Sequence, residues 1–179
     1  MCKKCNKFLE KHSFSKGFDI RNVNLKELNA DYPKLKSKGI YLISILKRGE
    51  NADLVYDKLK IIIDQLKWNM VDIFMNDRVK RICKINDCSI IYIGAAGGQH
   101  KDSKNNLIGR YFGFKDSHTI MMPLWALIYF GWELNYHFIA IDNPQILEEK
   151  LLQGFKEVHA GALPALNKKD IKLQSPKLN

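Results

Sequence analysis

Two runs decide how this chain is read: Gly39-Ile40-Tyr41-Leu42-Ile43-Ser44-Ile45-Leu46 and Ser89-Ile90-Ile91-Tyr92-Ile93-Gly94. Both are nearly continuous apolar stretches of strand length, the pattern of central strands covered on both faces. Each places a tyrosine where its strand meets a loop, in the tripeptides Gly39-Ile40-Tyr41 and Tyr92-Ile93-Gly94. A third strand is predicted where Leu134, Tyr136, Phe138 and Ala140 alternate with Asn135, His137, Ile139 and Ile141.

Between the first two strands the pattern is helical. After the turn Lys47 to Asn51, Asp53 can cap a helix on which Leu54, Leu59, Ile62, Ile63 and Leu66 recur at helical spacing. Val71, Ile73, Phe74, Val79 and Ile82 mark a second helical stretch carrying Arg78, Lys80 and Arg81. Past the second strand, Ala95 to Asn106 reads as a polar loop, followed by a short helix around Leu107 to Phe112. An apolar helix opened by Pro123 ends at Gly131, and Asp142-Asn143-Pro144 starts a last helix running to about His159. Residues 1–36 are polar and lysine-rich, with a short helix at Leu25 to Asn29, and 168–179 form a polar tail. The prediction is an α/β domain over 37–167, a small three-stranded sheet flanked by helices, with a helical insertion at about 50–87.

The 179 residues carry 29 Lys and Arg against 19 Asp and Glu, a formal charge of +10. Such an excess favours a polyanionic partner, because each neutralised phosphate releases condensed counterions. Lysine dominates, so the arginines (Arg21, Arg48, Arg78, Arg81 and Arg110) are the cations to expect at specific positions. No apolar run approaches the roughly 20 residues that span a bilayer. Met1-Cys2-Lys3-Lys4-Cys5 has no apolar core behind it, so the expectation is a cytoplasmic protein without a membrane partner. Cys2-x-x-Cys5 has half of a zinc-site spacing, which Cys83 and Cys88, or His12, could complete; otherwise the thiols are free and reduced.

Five residues could carry chemistry. Tyr41 and Tyr92, on adjacent strands, can bring two phenols together, although the same residues would serve as core tyrosines with satisfied hydroxyls. Arg110, among Ile108, Tyr111 and Phe112, offers a guanidinium that stays charged and can grip two phosphate oxygens, in catalysis or as a plain clamp. Glu148 shares the apolar helix face of Leu151, Leu152 and Phe155, whereas Glu149 sits nearer the flank. An inward carboxylate suits a divalent cation, or else a buried salt bridge, for instance to Arg110. Asn167, in Leu163-Pro164-Ala165-Leu166-Asn167, can brace a loop through its amide or act as a simple turn residue.

The ordered pair Gly39-Ile40-Tyr41 and Tyr92-Ile93-Gly94, followed by Arg110, an acidic helix and Asn167, resembles the GIY-YIG nuclease superfamily over Gly39 to Asn167. The resemblance implies a three-stranded antiparallel sheet flanked by helices. It also implies one site made of Tyr41, Tyr92, Arg110, Glu148 and Asn167, with a single divalent ion, usually Mg2+, on Glu148. The Glu-x-x-Leu-Leu-x-x-Phe pattern from Glu148 looks like the family's metal-binding helix. The implied activity is hydrolysis of phosphodiester bonds in double-stranded DNA. Tyr41 would be base or proton relay, Tyr92 would orient phosphate or water, and Arg110 would support the transition-state charge. The long insertion is similar to those of restriction enzymes in the superfamily, and cutting both strands favours a homodimer. The chain departs from the family in three ways. The motifs lie far apart, the spacing from Glu148 to Asn167 is long, and Phe114 stands where many members have a histidine, leaving His100 or His118 to substitute or to be ordinary loop histidines. A non-catalytic or RNA-directed binding module on the same fold is the alternative.

Overall fold

The computed structural model describes residues 3–22, 24–65, 78–97, 106–116 and 120–168. Its centre is an antiparallel sheet of four strands in the order β1-β4-β2-β3. The strands are β1 (Phe18–Asp19), β2 (Gly39–Lys47), β3 (Ile90–Ala96) and β4 (Glu133–Ala140). The sheet therefore has one strand more than the sequence predicts. With only two residues, β1 leaves no periodic signal; pairing across space defines it, with Phe18 opposite Tyr136 and Asp19 opposite Asn135.

Strand β2 pairs on both sides and is buried from Gly39 through Ile45. Alternation sends Tyr41, Ile43 and Ile45 to one face, where they pack with Leu134, Tyr136 and Phe138. Ile40 and Leu42 point to the other, with Ile90 and Ile93. The first face is covered by α2 (Leu25–Asp31), α3 (Ala52–Gln65), α4 (Leu107–Asp116) and α5 (Met121–Tyr129). The second is covered by α1 (Lys3–Lys11) and α6 (Pro144–Val158), through Cys5, Phe8, Leu151, Leu152 and Phe155. Each of those larger apolar side chains contributes on the order of 1.5–3 kcal/mol by leaving water. The lysine-rich start of the chain thus packs on the core: Cys5, Phe8 and Leu9 lie at helical spacing within the polar run.

One polar pair interrupts the apolar sheet. Ser44 and His137 are both buried, and the Ser44 hydroxyl lies 2.9 Å from His137 Nε2, while His137 Nδ1 is 3.1 Å from the Ser15 carbonyl. Burial holds His137 below its ordinary pKa, so the neutral ring donates at Nδ1 and accepts at Nε2.

The insertion begins differently from its predicted cap. Asn51, not Asp53, caps α3, accepting from the N–H groups of Asp53 at 2.9 Å and Leu54 at 3.4 Å. The inward stripe is Val55, Leu59 and Ile63, spaced i, i+4, i+8, which leaves Leu54 and Ile62 exposed. Leu66, Val71, Ile73 and Phe74 lie outside the described residues; the described end of the second helical stretch is a 3-10 turn, Val79–Lys84, with Val79 and Ile82 buried. Among the described residues, no helix is long and apolar enough to cross a membrane.

Candidate active site

The two glycines of the motif tripeptides are required by close approach. A Cβ on Gly39 would sit 2.1 Å from the Ile139 carbonyl oxygen, because the backbone of β4 passes directly beside it. Gly94 lies opposite Tyr41 across the β2–β3 ladder, and its Cβ would meet Tyr41 Oη at 2.6 Å and Tyr92 Cε1 at 2.7 Å. Gly94 is the space into which the two phenols fit.

Regular register brings those phenols to one face: Tyr41 lies opposite Gly94, and Tyr92, two residues before Gly94, lies opposite Ile43, just ahead of a bulge. Ile43 pairs with Tyr92, yet Ser44 pairs with Ile90, so Ile91 is the extra residue on β3. Tyr41 and Tyr92 then stack, with ring centroids 5.9 Å apart and planes 28° apart. Burial, the neighbouring Tyr92 and Tyr136, and a hydrogen bond donated to Tyr92 hold Tyr41 well above its ordinary pKa, against the pull of Arg110. Tyr92 is raised mainly by burial and further by Glu148, while the bond from Tyr41 and the charges of Arg110 and Arg81 oppose the rise. Both phenols are therefore neutral near pH 7, and Tyr92, the less buried of the two, forms the open end of the pair.

Arg110 is carried by α4, whose first turn is fixed by Asn106 Oδ1 accepting from Gly109 N–H at 2.8 Å. Its charge acts on Tyr41, Tyr92, Tyr136 and Glu148, which places the guanidinium among all four. Its Nε is buried with no hydrogen-bond partner among the described residues. A buried, unsatisfied donor costs on the order of 1–3 kcal/mol, which makes this nitrogen a candidate contact for a substrate oxygen.

Glu148 sits on the second turn of α6. Burial, then the charge of Glu149, push its carboxyl up to about 7, opposed by a backbone hydrogen bond from Ala95 and by Arg110. It forms no ion pair among the described residues; Arg110 acts on it at longer range rather than as a salt-bridge partner. An oxygen donor so placed holds a proton near neutral pH, and a hard divalent cation can replace that proton.

Asn167 does not point at the phenols. Its side-chain amide pairs with the backbone of Ile93, and Leu166 N–H donates to the Ile91 carbonyl at 2.9 Å. The segment thereby satisfies the edge of β3 around the bulge and Tyr92, the bracing role open to it in the sequence.

Two members of the cluster were not foreseen. Tyr136 stacks on Tyr41 (5.6 Å, 11°) and donates to the Leu107 carbonyl at 3.1 Å, tying the phenols to the start of α4. Arg81 donates to the Leu166 carbonyl at 3.3 Å and acts on Tyr92. The signal for Arg81 was the scarcity of arginine in a lysine-rich chain; Tyr136 had none beyond its strand alternation. His100 and His118 lie outside the described residues.

The cysteines gather elsewhere. Cys83 packs on the Tyr41 face of the sheet, whereas Cys5 and Cys88 lie on the opposite face, where His159 completes a three-donor group. His12 packs on Phe8 and is not part of it. Models of known protein families, curated proteins and solved structures were all compared with the chain, and none matches.

Proposed function

We propose that this chain is a metal-dependent DNA endonuclease of the GIY-YIG kind, acting on duplex DNA in the manner of a small restriction enzyme. The observation that carries the reading is convergence. Two phenols, a guanidinium whose buried Nε is unpartnered among the described residues, and an inward carboxylate raised to about 7 interact electrostatically although they come from four separate elements. A positively charged chain supplies the affinity for a polyanion.

The donor set fits a single magnesium-type ion, which usually takes one or two protein carboxylates and completes its shell with water and substrate phosphate. Glu148 would hold it, and bound there it supplies positive charge at the scissile phosphate and the leaving oxygen. The chain's own residues do the rest. Arg110 meets the non-bridging oxygens through its buried Nε–H, unpartnered among the described residues. Tyr92 presents its hydroxyl to the phosphate or the attacking water. Tyr41, neutral and donating to Tyr92, keeps that hydroxyl oriented and passes a proton along the pair; with its pKa raised, it is a relay rather than a stored base. Asn167 and Tyr136 position the phenols without touching substrate.

The test is a nicking assay on mixed plasmid and genomic DNA with and without Mg2+. Cleavage that needs the metal and disappears in Glu148→Ala supports the reading; cleavage indifferent to that substitution overturns the assignment of Glu148.

A further inference from the structure

The strongest unassigned feature lies on the other face of the sheet. Cys5 Sγ of α1, Cys88 Sγ just before β3, and His159 Nε2 at the end of α6 meet in one place. The sulfurs are 2.8 Å apart, and Nε2 lies 3.7 Å from Cys5 Sγ and 3.5 Å from Cys88 Sγ. We propose that Cys5, Cys88 and His159 bind a structural zinc ion that staples α1 and the end of α6 to the start of β3.

Four features support a metal over three unrelated side chains. Cys5 is fully buried and Cys88 largely so, its Sγ also 3.4 Å from the Ile90 carbonyl, so the sulfur donors are held out of bulk water. His159 Nδ1 lies 2.9 Å from the Phe155 carbonyl, and its ring stacks on Phe155 (3.9 Å, 13°). Donation from Nδ1 to that carbonyl fixes the tautomer, so the Nε2 lone pair faces the sulfurs, as the backing of a ligating histidine does. The sulfur-to-nitrogen distances match a tetrahedral ion bonded at about 2.3 Å to sulfur and about 2.0 Å to nitrogen, which separates such ligands by about 3.5 Å. The sulfurs must part by about 1 Å to fit the same tetrahedron, a side-chain adjustment. A disulfide would instead need them at about 2.05 Å and would leave Nε2 with nothing to bind.

Two thiolates and an imidazole select zinc over magnesium, so this site is chemically distinct from Glu148. Three protein donors leave one position of the zinc tetrahedron for a further ligand. The staple joins the elements that carry Tyr92 and Glu148, yet it stands or falls independently of the nuclease reading.

The experiment is elemental analysis of the full chain, purified with reductant and zinc and then desalted. One zinc per chain is expected, falling about tenfold or more in Cys88→Ser and in His159→Gln. Because those variants could fail to fold, cobalt(II) is exchanged into wild-type protein, where thiolate-to-metal charge transfer and intense tetrahedral d–d bands are expected. Wild-type protein without zinc and without those bands, or with a Cys5–Cys88 disulfide by mass spectrometry after the same preparation, overturns the proposal.

Discussion

The side-chain amide of Asn167 grips both backbone groups of Ile93, accepting from its N–H at 3.0 Å and donating to its carbonyl at 2.8 Å. One amide thus replaces a neighbouring strand at the edge of β3, one residue from Tyr92 and one from Gly94. Asn167→Ala should cost about 1–3 kcal/mol, and each of those lowers the melting temperature by about 2–4 °C in a domain of this size. Asn167→Asp keeps the acceptor and loses the donor, so calorimetry should place it between wild type and the alanine variant. Equal melting temperatures for all three would remove the bracing role.

Gly94→Ala tests the fit of the phenols. The new Cβ lands 2.6 Å from Tyr41 Oη, on rings held between neighbouring strands. Overpacking of this kind costs about 1–3 kcal/mol. Tyrosine fluorescence should report a changed Tyr41–Tyr92 environment in a protein that still folds, with cleavage reduced out of proportion to stability. Wild-type fluorescence and wild-type cleavage would contradict the tight packing.

Arg110 offers a separation of stability from activity. Arg110→Met removes a buried donor unpartnered among the described residues and a charge that acts on Tyr41, Tyr92 and Tyr136. The variant should melt at or above the wild-type temperature, while cleavage falls by about 10²-fold or more, the loss typical of removing a transition-state donor. A variant that is destabilised and still active would reverse the assignment.

Glu148 gives a pH dependence with a definite sign. Its carboxyl is raised from an ordinary 4.5 to about 7, so between those values the folded chain keeps a proton that the unfolded chain has lost. This group's contribution to stability is present below about 4.5 and is lost as pH rises through about 7. In metal-free buffer, the difference in stability between wild type and Glu148→Gln should follow that slope. Mg2+ should flatten it by replacing the proton, and cleavage at limiting Mg2+ should rise through the same pH range. A slope identical in the two proteins would show that the carboxyl is not desolvated.

The long strands, the later helices and the glycines were legible in the sequence because apolar runs and turn residues leave local signals. The inward placement of Glu148 was legible for the same reason, since Leu151, Leu152 and Phe155 define its helix face. What escaped was decided by pairing across space. β1 has two residues and exists through β4. The cap of α3 falls on Asn51, two residues before the acidic residue expected there. Cys88 joins Cys5 rather than Cys83 because it packs on the opposite face of the sheet, under α1 and α6. Tyr136 entered the site only because its register beside Ile43 sets its ring on Tyr41.

The most direct test of the central claim is a manganese(II) binding titration followed by electron paramagnetic resonance on wild type and Glu148→Gln, with cleavage measured on the same samples. The account predicts one manganese per wild-type chain, and loss of both binding and cleavage in Glu148→Gln without loss of fold. Manganese binding and DNA cleavage that persist unchanged in Glu148→Gln would contradict it.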